Sequence, residues 1–507
     1  MNGAEPDIEV AVIGAGFSGI GTAIKLDKAG IDDWALLEAG DGVGGAWHWN
    51  TYPGIGVDIP SFSYQFSFEQ RTDWSRVYAS GEELKAYAED CVESYGLRSR
   101  IRFNTKVTGA RFDAEQHLWD LSTADGGTVT ARYAVGATGV FSQPKPPDIA
   151  RLGDFAGTVM HTARWDHDVD LSGKRVAIIG TGASAVQVIP TIAPQVEHLT
   201  VLQRTPVWCL PKPDGPVAPR TRRLLERVPG ALRAARAASQ AYVELLFPIS
   251  GHYYGVVPLA KAGERQALNH LRRQVRDPEV RDKLTPRYGL GCKRPGFSNE
   301  YLATFNRPNV YLETSPIESF TSSSVRTADA EHDIDVLILA TGFRVFEKGN
   351  MPPFPVHGSD GVDLAEWWDA NRFQAYEGVS VPGFPNLFLI LGPYGFNGAS
   401  YFTLIENQAR HIVRCLRRAR GTGSTAVEVR PEANRRYWEA MLARRDRQVF
   451  FQGSCATSNS YYFDKHGDVP FRPATTVEAA WRSARFDLDD YSFTRVGRLT
   501  EPVLSGP

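Results

Sequence analysis

The segment that decides the fold is IEVAVIGAGFSGIGTAIKL, residues 8–26. Its apolar start predicts a buried strand, and Gly14, Gly16 and Gly19 follow at the spacing of a dinucleotide-binding turn. Glycine is needed where the turn requires unusual backbone angles and where the chain approaches a pyrophosphate. The helical pattern behind the turn would aim its N-terminal amides at the phosphates. Strand, turn and helix together predict a Rossmann-like unit.

An acidic residue ends the second predicted strand of this unit. The stretch ALLE places Glu38 24 residues after Gly14, where its carboxylate can accept hydrogen bonds from a ribose diol. A glycine turn by itself also arises by chance, but here the strand, the helix and the acid agree. A carboxylate suits a nucleotide with a free 2′-hydroxyl, so the first unit is predicted to bind FAD.

The segment RVAIIGTGASAVQVI, residues 175–189, repeats this design. It has Gly180 and Gly182 in the turn, alanine in place of the third glycine, and Ser184 at the start of the predicted helix. Arg204 follows Gly180 by 24 residues, so a base stands where the first unit has an acid. An arginine suits a 2′-phosphate, and the second unit is therefore predicted to bind NADPH rather than NADH. The alternative is that Arg204 is only a solvated surface charge.

Two further segments resemble one another. AVGATGVFS, residues 134–142, and VLILATGFRV, residues 336–345, each end an apolar run in Ala-Thr-Gly, and each follows one of the two glycine turns. Duplicated nucleotide domains are the simplest explanation of all four segments. The predicted fold class is α/β, with two Rossmann-like dinucleotide-binding domains, one for FAD and one for NADP, and a helical insertion.

The predicted domain boundaries follow these motifs. They are 1–142 and 380–507 for the FAD-binding domain, 150–210 and 292–379 for the NADP-binding domain, and 211–291 for the helical insertion. The insertion has arginines on one side and leucine, valine and alanine on the other. We expect it to cover the active site. A helix lying on a membrane surface is the alternative, which its glutamates make weaker.

Composition excludes several other classes of protein. The 507 residues are 42% hydrophobic and 22% charged with a net charge of −2, so no field would gather nucleic acid or an anionic membrane. The five cysteines have no close spacing, which gives no support to a disulfide framework, a zinc site or a dithiol redox centre and suits a reducing cytoplasm. Strand residues begin at Ile8, which leaves no room for a signal peptide, and no long apolar stretch predicts membrane insertion. A monomer or weak homo-oligomer is the default expectation.

Three further segments distinguish one flavoenzyme from another. They are GGAWHWNTYPGIGVD at 44–58, FAGTVMHTARWD at 155–166 and GCKRP at 291–295. Two dinucleotide units alone are common to reductases, oxidases and monooxygenases, so these segments carry the finer assignment.

The chain resembles the type I Baeyer–Villiger monooxygenases. Their fingerprint matches Phe155, Gly157, His161, Trp165 and Asp166. The family's glycine–tryptophan segment, which ends in Tyr-Pro-Gly and an aspartate, also matches. Related flavin-containing and N-hydroxylating monooxygenases usually carry a different residue in place of the fingerprint tryptophan. The resemblance covers nearly the whole chain and is weakest in the last hundred residues.

The resemblance implies a mechanism. NADPH reduces the flavin, O2 adds to it, and the resulting flavin peroxide attacks a ketone and yields an ester or lactone. Arg294 would stabilise the peroxide and the developing oxyanion, with an ordinary salt bridge as its alternative. Asp58 would lie beside Arg294 and the flavin and orient the guanidinium, with a capping aspartate after the Pro-Gly turn as its alternative.

The resemblance also implies further cofactor-binding residues. Lys293, with Arg204 and Thr205, would bind the 2′-phosphate of NADPH. The remaining FAD residues would be Gly45, Trp47, Tyr64 and the backbone around Val107.

His161 has three possible roles. Its spacing to Trp165 would put both residues on one face if the segment were helical. We expect it to couple movement of the NADPH domain to chemistry, and direct catalysis and a packed linker histidine are the alternatives.

Competing functions remain open from the sequence. The same cofactors could oxygenate sulfur or nitrogen. A flavin disulfide reductase would need a cysteine pair near the flavin, and a non-catalytic nucleotide-binding protein would not need intact motifs. The segments 392–400 and 454–464, with Trp208, predict a mostly apolar pocket for a small apolar ketone.

Overall fold

The computed structural model describes residues 5–257 and 259–496. From the N-terminus its first ten strands are β1 (Ile8–Ile13), β2 (Trp34–Leu37), β3 (Ile101–Arg102), β4 (Val107–Asp113), β5 (Leu118–Thr123), β6 (Thr128–Gly136), β7 (Thr158–His161), β8 (Arg175–Ile179), β9 (His198–Leu202) and β10 (Cys209–Leu210). The strands that follow are β11 (Gly296–Phe297), β12 (Val310–Glu313), β13 (Ile317–Phe320), β14 (Ser324–Thr327), β15 (Glu331–Asp333), β16 (Val336–Leu339), β17 (Val356–His357), β18 (Leu387–Leu389), β19 (Ala426–Val429) and β20 (Tyr491–Thr494).

Helices separate most of these strands. Those before β11 are α1 (Phe17–Asp27), α2 (Ala46–Trp49), α3 (Gly81–Ser94), α4 (Ala183–Ile192), α5 (Pro219–Arg227), α6 (Ala231–Glu244), α7 (Ser250–His252), α8 (Leu259–Gln274) and α9 (Pro278–Lys283). Those after it are α10 (Tyr301–Thr304), α11 (Leu364–Asn371), α12 (Tyr401–Thr422), α13 (Pro431–Leu442) and α14 (Thr476–Arg485).

The first sheet is built around the strand that precedes the first glycine turn. Its order is β17-β4-β5-β6-β1-β2-β3, and β18 also pairs with β6. β1 runs parallel to both β2 and β6, with Val10 opposite Trp34 on one side and Tyr133 on the other. Central parallel strands are covered on both faces, which explains why β1 is almost continuously apolar.

The second sheet is built around the strand that precedes the second glycine turn. Its order is β12-β9-β8-β16-β7, and every neighbouring pair is parallel. Val336 of β16 lies opposite Val176 on one side and Thr158 on the other. Two sheets with parallel centres and intervening helices confirm the predicted α/β class.

The two glycine turns are closed in the same way. A Cβ added to Gly14, where φ is +109°, would lie 2.7 Å from the carbonyl oxygen of Ala137. A Cβ added to Gly180, where φ is +116°, would lie 2.4 Å from the carbonyl oxygen of Ala340. Each alanine begins an Ala-Thr-Gly turn, so this turn packs directly against the first glycine in both units. Only glycine permits such an approach, which explains why the two motifs occur together.

The predicted insertion contains α5 to α9. A π-helical turn, Leu245–Ile249, follows α6 and returns the chain towards the junction of the two sheets. Within residues 5–257 and 259–496, no helix has the length and apolar character needed to cross a membrane. The same residues contain no cluster of side chains suited to a metal ion.

One domain boundary differs from the predicted one. Residues 345–379 were assigned to the NADP-binding domain, but Val356 of β17 pairs with Ala110 of the first sheet. Phe346 and Trp368 belong to the same apolar cluster as that sheet. After β16 and the turn that follows it, the chain leaves the second sheet and returns to the first sheet, where β17 pairs with β4. No change in composition marks this point.

The prediction of no disulfide was wrong. Cys292 and Cys455, separated by 163 residues, are joined by a disulfide with a Cα–Cα distance of 5.2 Å. Distant positions in sequence meet here because the C-terminal segment returns to the end of the insertion. The free cysteines of the described chain are Cys91, Cys209 and Cys415, all buried.

Candidate active site between the two dinucleotide units

A bidentate ion pair lies between the two units. Arg294 donates from Nε to Asp58 Oδ2 at 2.6 Å and from Nη2 to Oδ1 at 2.8 Å. The two side chains are only 19% and 27% exposed. The residues are 236 positions apart, and the matched planar geometry holds the guanidinium in one orientation.

Each partner keeps the other charged. Burial alone would raise the pKa of Asp58, but the charge and hydrogen bonds of Arg294 lower it below its usual value. Burial opposes the charge of Arg294, and Asp58 outweighs this and raises the pKa of the arginine. Lys212 adds a second positive charge that also lowers the pKa of Asp58. The site therefore holds an arginine that stays protonated at any working pH.

The Tyr-Pro-Gly segment positions Asp58 by packing against α4. Tyr52 donates its hydroxyl to Gln187 Oε1 at 3.0 Å, and Gln187 donates from Nε2 to the carbonyl of Gly56 at 2.8 Å. Gly54 has φ of +80°, and a Cβ there would lie 2.4 Å from Thr191 Oγ1. The motif is thus a docking turn that fastens the first unit to the helix of the second, with the aspartate just beyond it.

Aromatic side chains surround the ion pair. Phe247, from the π-helical turn of the insertion, lies 4.4 Å from the Arg294 guanidinium. Trp47 and Tyr64 meet edge to face at 5.9 Å, and Tyr64 meets Phe402 of α12 at 5.0 Å. Burial raises the pKa of Tyr64 above its usual value, so its hydroxyl stays neutral. The insertion therefore contributes to the cover of the site, as expected.

The first glycine turn and its strand-end acid form a tight group. A Cβ added to Gly45, whose φ is +56°, would lie 2.9 Å from the Cα of Gly16, so two glycine backbones cross here. Glu38 is 5% exposed. Its carboxylate accepts from the backbone N–H of Ala15 at 2.6 Å and of Gly40 at 2.8 Å. The carboxylate is therefore fixed beside the turn.

The remaining residues of the first unit lie nearby. Gly19 follows inside α1, where a Cβ would collide with the carbonyl of Gly14. Val107 begins β4 and is 5% exposed. The chain just before Val107 is bonded to the backbone of Glu38, since Thr105 donates its backbone N–H to the Glu38 carbonyl at 2.8 Å. These residues fit a nucleotide that approaches the turn and the end of β2.

The second unit gathers basic and hydroxyl groups. Gly182 caps α4, Ser184 lies in its first turn, and Thr181 donates to the carbonyl of Thr205 at 2.8 Å. Burial and the nearby positive charge of Arg204 lower the pKa of Lys293 to about 8. Neither cation forms an ion pair with a carboxylate among residues 5–257 and 259–496, and two cations that repel one another indicate a place where an anion binds.

The fingerprint segment is a strand and turn, not a helix. Phe155 packs against Phe320 at 6.2 Å, and a Cβ on Gly157 would lie 2.4 Å from the Phe155 ring. His161 ends β7, and its Nδ1 accepts from the backbone N–H of Ala163 at 3.0 Å. The segment is therefore not the helix that would place His161 and Trp165 on one face, because β7 pairs with β16 and its residues are extended.

The histidine contacts the second Ala-Thr-Gly turn. Its Nε2 lies 3.4 Å from Thr341 Oγ1, and its ring meets Phe343 at 6.2 Å. Burial first, and then the charge of Arg164, lower the pKa of His161. The imidazole is therefore neutral at pH 7. No contact with the ion pair is among its hydrogen bonds in the described chain, so the structure brings it to the domain link rather than to Arg294.

The end of the fingerprint touches the first unit. Trp165 packs against the core of the second sheet, and Asp166 accepts from the backbone N–H of Asp168 at 3.0 Å. The Arg164 guanidinium lies over the Trp49 ring at 4.5 Å. His167 Nε2 lies 2.8 Å from Thr51 Oγ1. The fingerprint thus connects the segment 44–58 with the second sheet.

Several site residues were missed from the sequence. Gln187, Lys212, Phe247 and Arg164 carry no motif of their own, and each acts through a partner distant in sequence. Asn459 donates from Nδ2 to Thr205 Oγ1 at 3.1 Å. The signal that could have located it was the polar and aromatic composition of the segment 454–464, which predicted a pocket wall but no partner.

Comparisons with known proteins agree along the chain. A family model described as pyridine nucleotide-disulphide oxidoreductase matches residues 11–244. A protein from Streptomyces coelicolor, named Baeyer–Villiger monooxygenase, is 38% identical over 496 residues, which cover 96% of this chain and 93% of that protein.

Solved structures extend the likeness to three dimensions. Cyclohexanone monooxygenase from Rhodococcus sp. Phi1 bound to NADP+ has a TM-score of 0.85 at 29% identity, covering 96% of this chain and 99% of that one. A complex of OTEMO with FAD and NADP has a TM-score of 0.84 at 28% identity, covering 97% of this chain and all of the other. The likeness includes both sheets and the insertion.

Proposed function

The chain belongs to the Baeyer–Villiger monooxygenases, and we propose that Arg294 and Asp58 are the residues on which its reaction depends. It is an FAD-containing, NADPH- and O2-dependent monooxygenase that converts a ketone to an ester or lactone. The observation that supports this assignment of residues is their buried bidentate pair at the junction of two dinucleotide units.

The first unit holds FAD through a site whose backbone fits it. Gly14, Gly16 and Gly19 let the chain approach the pyrophosphate at the N-terminus of α1. Glu38 accepts from the ribose hydroxyls, for which its fixed carboxylate offers further lone pairs. The residues that complete the site are Gly45, Trp47, Asp58, Tyr64 and Val107.

The second unit binds NADPH. Gly180, Gly182 and Ser184 surround the pyrophosphate at the N-terminus of α4. Lys293 and Arg204 bind the 2′-phosphate together with Thr205. The phosphate relieves the repulsion between the two cations, so binding favours the protonated lysine.

Bound FAD, once reduced by NADPH, supplies the activated oxygen that is inserted beside the ketone carbonyl. The protein's part is to stabilise negative charge and to exclude water. Arg294 offers fixed, protonated donors to the oxygen on which charge develops, and Asp58 prevents the guanidinium from turning away. A single donor of this kind contributes about 3 kcal/mol to the transition state.

The substrate is a small apolar ketone. The walls near Arg294 are aromatic: Phe247 lies over the guanidinium, and burial raises the pKa of Tyr401 and keeps its hydroxyl neutral. Such a pocket favours apolar groups with few polar contacts and keeps water from the reacting oxygen.

His161 is a linking residue. Its neutral ring, its bond from Ala163 and its approach to Thr341 hold the end of β7 to the turn after β16. Movement of the second sheet is thereby transmitted through Arg164 to Trp49. Coupling of domain movement to chemistry is the role that these contacts support.

The cytoplasm is the proposed compartment, because NADPH is available there, and a monomer or weak homo-oligomer is the proposed state. Cell fractionation and the mass in solution test these two statements. A stable tetramer or a periplasmic location would overturn them.

Product analysis tests the proposed function. The purified protein is mixed with FAD, NADPH, labelled O2 and panels of ketones and sulfides. One labelled atom in an ester or lactone is the expected result. Labelled sulfoxides without any ester would contradict ketone oxidation and favour S- or N-oxygenation, and absence of NADPH turnover with FAD bound would favour a non-catalytic protein.

A further inference from the structure

A disulfide joins the loop that carries Arg294 to a segment near the C-terminus. Cys292 lies two residues before Arg294, and its partner is Cys455. The two cysteines are 0% and 5% exposed. They belong to the same apolar cluster as Val449 and Phe450. The link is therefore inside the molecule and next to the proposed active site.

Backbone hydrogen bonds accompany the link. Cys292 donates its N–H to the carbonyl of Gly289 at 3.2 Å, and Gly289 donates its N–H to the carbonyl of Ser454 at 3.1 Å. Gly291, between them, has φ of +100°. The loop that ends in Lys293 and Arg294 is thus held against the other chain segment on both sides of a sharp turn.

Residues 455–462, which we name the aromatic segment, reach both halves of the proposed site. Asn459 donates to Thr205 Oγ1 at 3.1 Å, beside the proposed phosphate site. Tyr462 is 7% exposed, and burial raises its pKa, an effect that the charge of Arg294 opposes. The segment begins at Cys455, whose disulfide partner lies two residues before the arginine. One short segment meets the phosphate-binding residues and the arginine.

The aromatic segment has little regular structure to hold it. Between α13 and α14 the described chain has 3-10 turns and no strand or α-helix. Ordering an irregular segment is entropically costly, and a covalent link removes many of the alternative conformations. The position of Tyr461 and Asn459 relative to Arg294 thus depends on a few tertiary contacts, of which the disulfide is the strongest.

We propose that the Cys292–Cys455 disulfide is a positioning link that holds the aromatic segment over Arg294 and Thr205. The inference rests on the proposed function, since it concerns the same site. With the link intact, the aromatic segment stays beside the loop that carries Arg294, and Asn459 stays on the phosphate side. Breaking it lets the segment move and admits water, so more of the NADPH consumed yields hydrogen peroxide instead of ester.

Hydrogen peroxide, a by-product of the enzyme itself, can supply the oxidation that forms the disulfide. Two thiols lose two protons and two electrons and form the S–S bond. One hydrogen peroxide accepts them and becomes two waters. The disulfide can thus form in a reducing compartment after the enzyme has begun to turn over.

Counting thiols is the first test. The native holoenzyme is denatured without reductant, alkylated and weighed, and the expected mass corresponds to three alkylated cysteines out of the five in the sequence. A proteolytic fragment that contains Cys292 and Cys455 joined identifies the pair. Five alkylated cysteines would overturn the proposal. After anaerobic incubation with NADPH alone, the number of alkylated cysteines should also be three. A rise to five would mean that NADPH reduces the disulfide, and it would overturn the positioning role in favour of electron transfer to the cysteine pair.

The functional test compares Cys292→Ala/Cys455→Ala with Cys209→Ala. Cys209 is a matched control because it is buried in β10, which pairs with the strand after Arg294, and it makes no disulfide. In the double variant we expect the peroxide share of consumed NADPH to rise about threefold or more, since a displacement of about 1 Å can have large effects. The control should match the wild type within about twofold.

Two further readouts separate positioning from general stability. The dissociation constant of NADP+ should rise about threefold in the double variant, because Asn459 and Thr205 separate. Wild-type holoenzyme is incubated with dithiothreitol until the thiol count shows that the buried disulfide is reduced, and it should then show the same changes, whereas the double variant should stay as it was. This comparison also serves if the double variant folds poorly. Unchanged coupling and unchanged NADP+ binding in both would overturn the proposal. Absence of ester from untreated wild type would instead overturn the proposed function.

Discussion

The two glycine turns share a backbone and differ at the end of the following strand. Glu38 is buried, and two backbone N–H groups hold its carboxylate. Arg204 is exposed and faces another cation, Lys293. The common backbone explains why both units suit a pyrophosphate. Under the proposed assignment, the different burial fits a cofactor that remains in the first unit and a coenzyme that enters and leaves the second.

The proposed catalytic pair lies in neither glycine turn. Asp58 comes from the segment that leaves the first unit, and Arg294 comes from the loop that enters the second sheet after the insertion. In the proposed function each unit would bind its own nucleotide through local features, whereas the reaction would depend on a pair assembled between the two units. Variants of Arg294, Arg204, Glu38 and Lys293 test this difference between the two units.

Arg294→Ala should have the largest effect. We expect ester formation to fall by about 10²–10³-fold, because a fixed donor to the developing negative charge is lost. FAD content and NADP+ affinity should change little, since both glycine turns remain. Rates of ester formation and NADP+ titrations check this. Arg287→Ala, whose partner is the exposed Asp282, is the control. Equal loss of NADP+ binding would mean that the pair also holds the coenzyme.

Arg204→Ala should remove the preference for NADPH over NADH. The KM for NADPH should rise about 10–100-fold, as expected for the loss of a charge-assisted contact, and that for NADH should stay nearly constant. Steady-state kinetics with both coenzymes check the result. A similar rise for NADH would show that Arg204 does not bind the 2′-phosphate and would favour the surface-charge alternative.

Glu38→Gln should act on the first unit alone. The carboxylate accepts from two backbone N–H groups, whereas the amide oxygen can replace only one of its two oxygens as an acceptor. The dissociation constant of FAD should therefore rise about tenfold. Titration of the protein stripped of FAD, followed by flavin fluorescence, measures this. Glu115→Gln, at an exposed turn, is the matched control. Weaker NADP+ binding with normal FAD binding would reverse the assignment of the two units.

Lys293 should make NADPH binding depend on pH. Its pKa is lowered to about 8, so the ammonium is present below that pH and is lost as the pH rises through it. The KM for NADPH should therefore rise between pH 7 and 9, by up to about tenfold if the charge carries the contact. The rise should be smaller for NADH and should vanish in Lys293→Arg. An unchanged pH profile in that variant would exclude Lys293 as its origin.

Much of the fold could be predicted because its signals are local. The strand, glycine turn and helix around Gly14 and Gly180 need only neighbouring residues, and the Ala-Thr-Gly turns repeat with them. The boundary near 379 was wrong because β17 pairs with β4, and a two-residue strand leaves no pattern in the sequence. His161 and Trp165 would share a face only in a helix, and the spacing could not show that β7 pairs with β16 and is extended.

The resemblance to a known family predicted the residues of the candidate site, whereas the spacing of residues along the sequence did not. Asp58 and Arg294 were expected together because the motifs resemble a known family. The contacts of Gln187, Phe247 and Asn459 have no such motif. Their roles follow only from where α4, the π-helical turn and the aromatic segment come to lie.

The sequence alone determined two nucleotide units, their order and the opposite charges at their strand ends. These features depend on the backbone sterics of each turn and on a charged residue about 24 positions after it, so they are local in the sequence. The tertiary structure decided which distant groups meet: Arg294 with Asp58 across 236 residues and Cys292 with Cys455 across 163. Such contacts require closure of long loops, and only the packing of the whole chain selects which loops close.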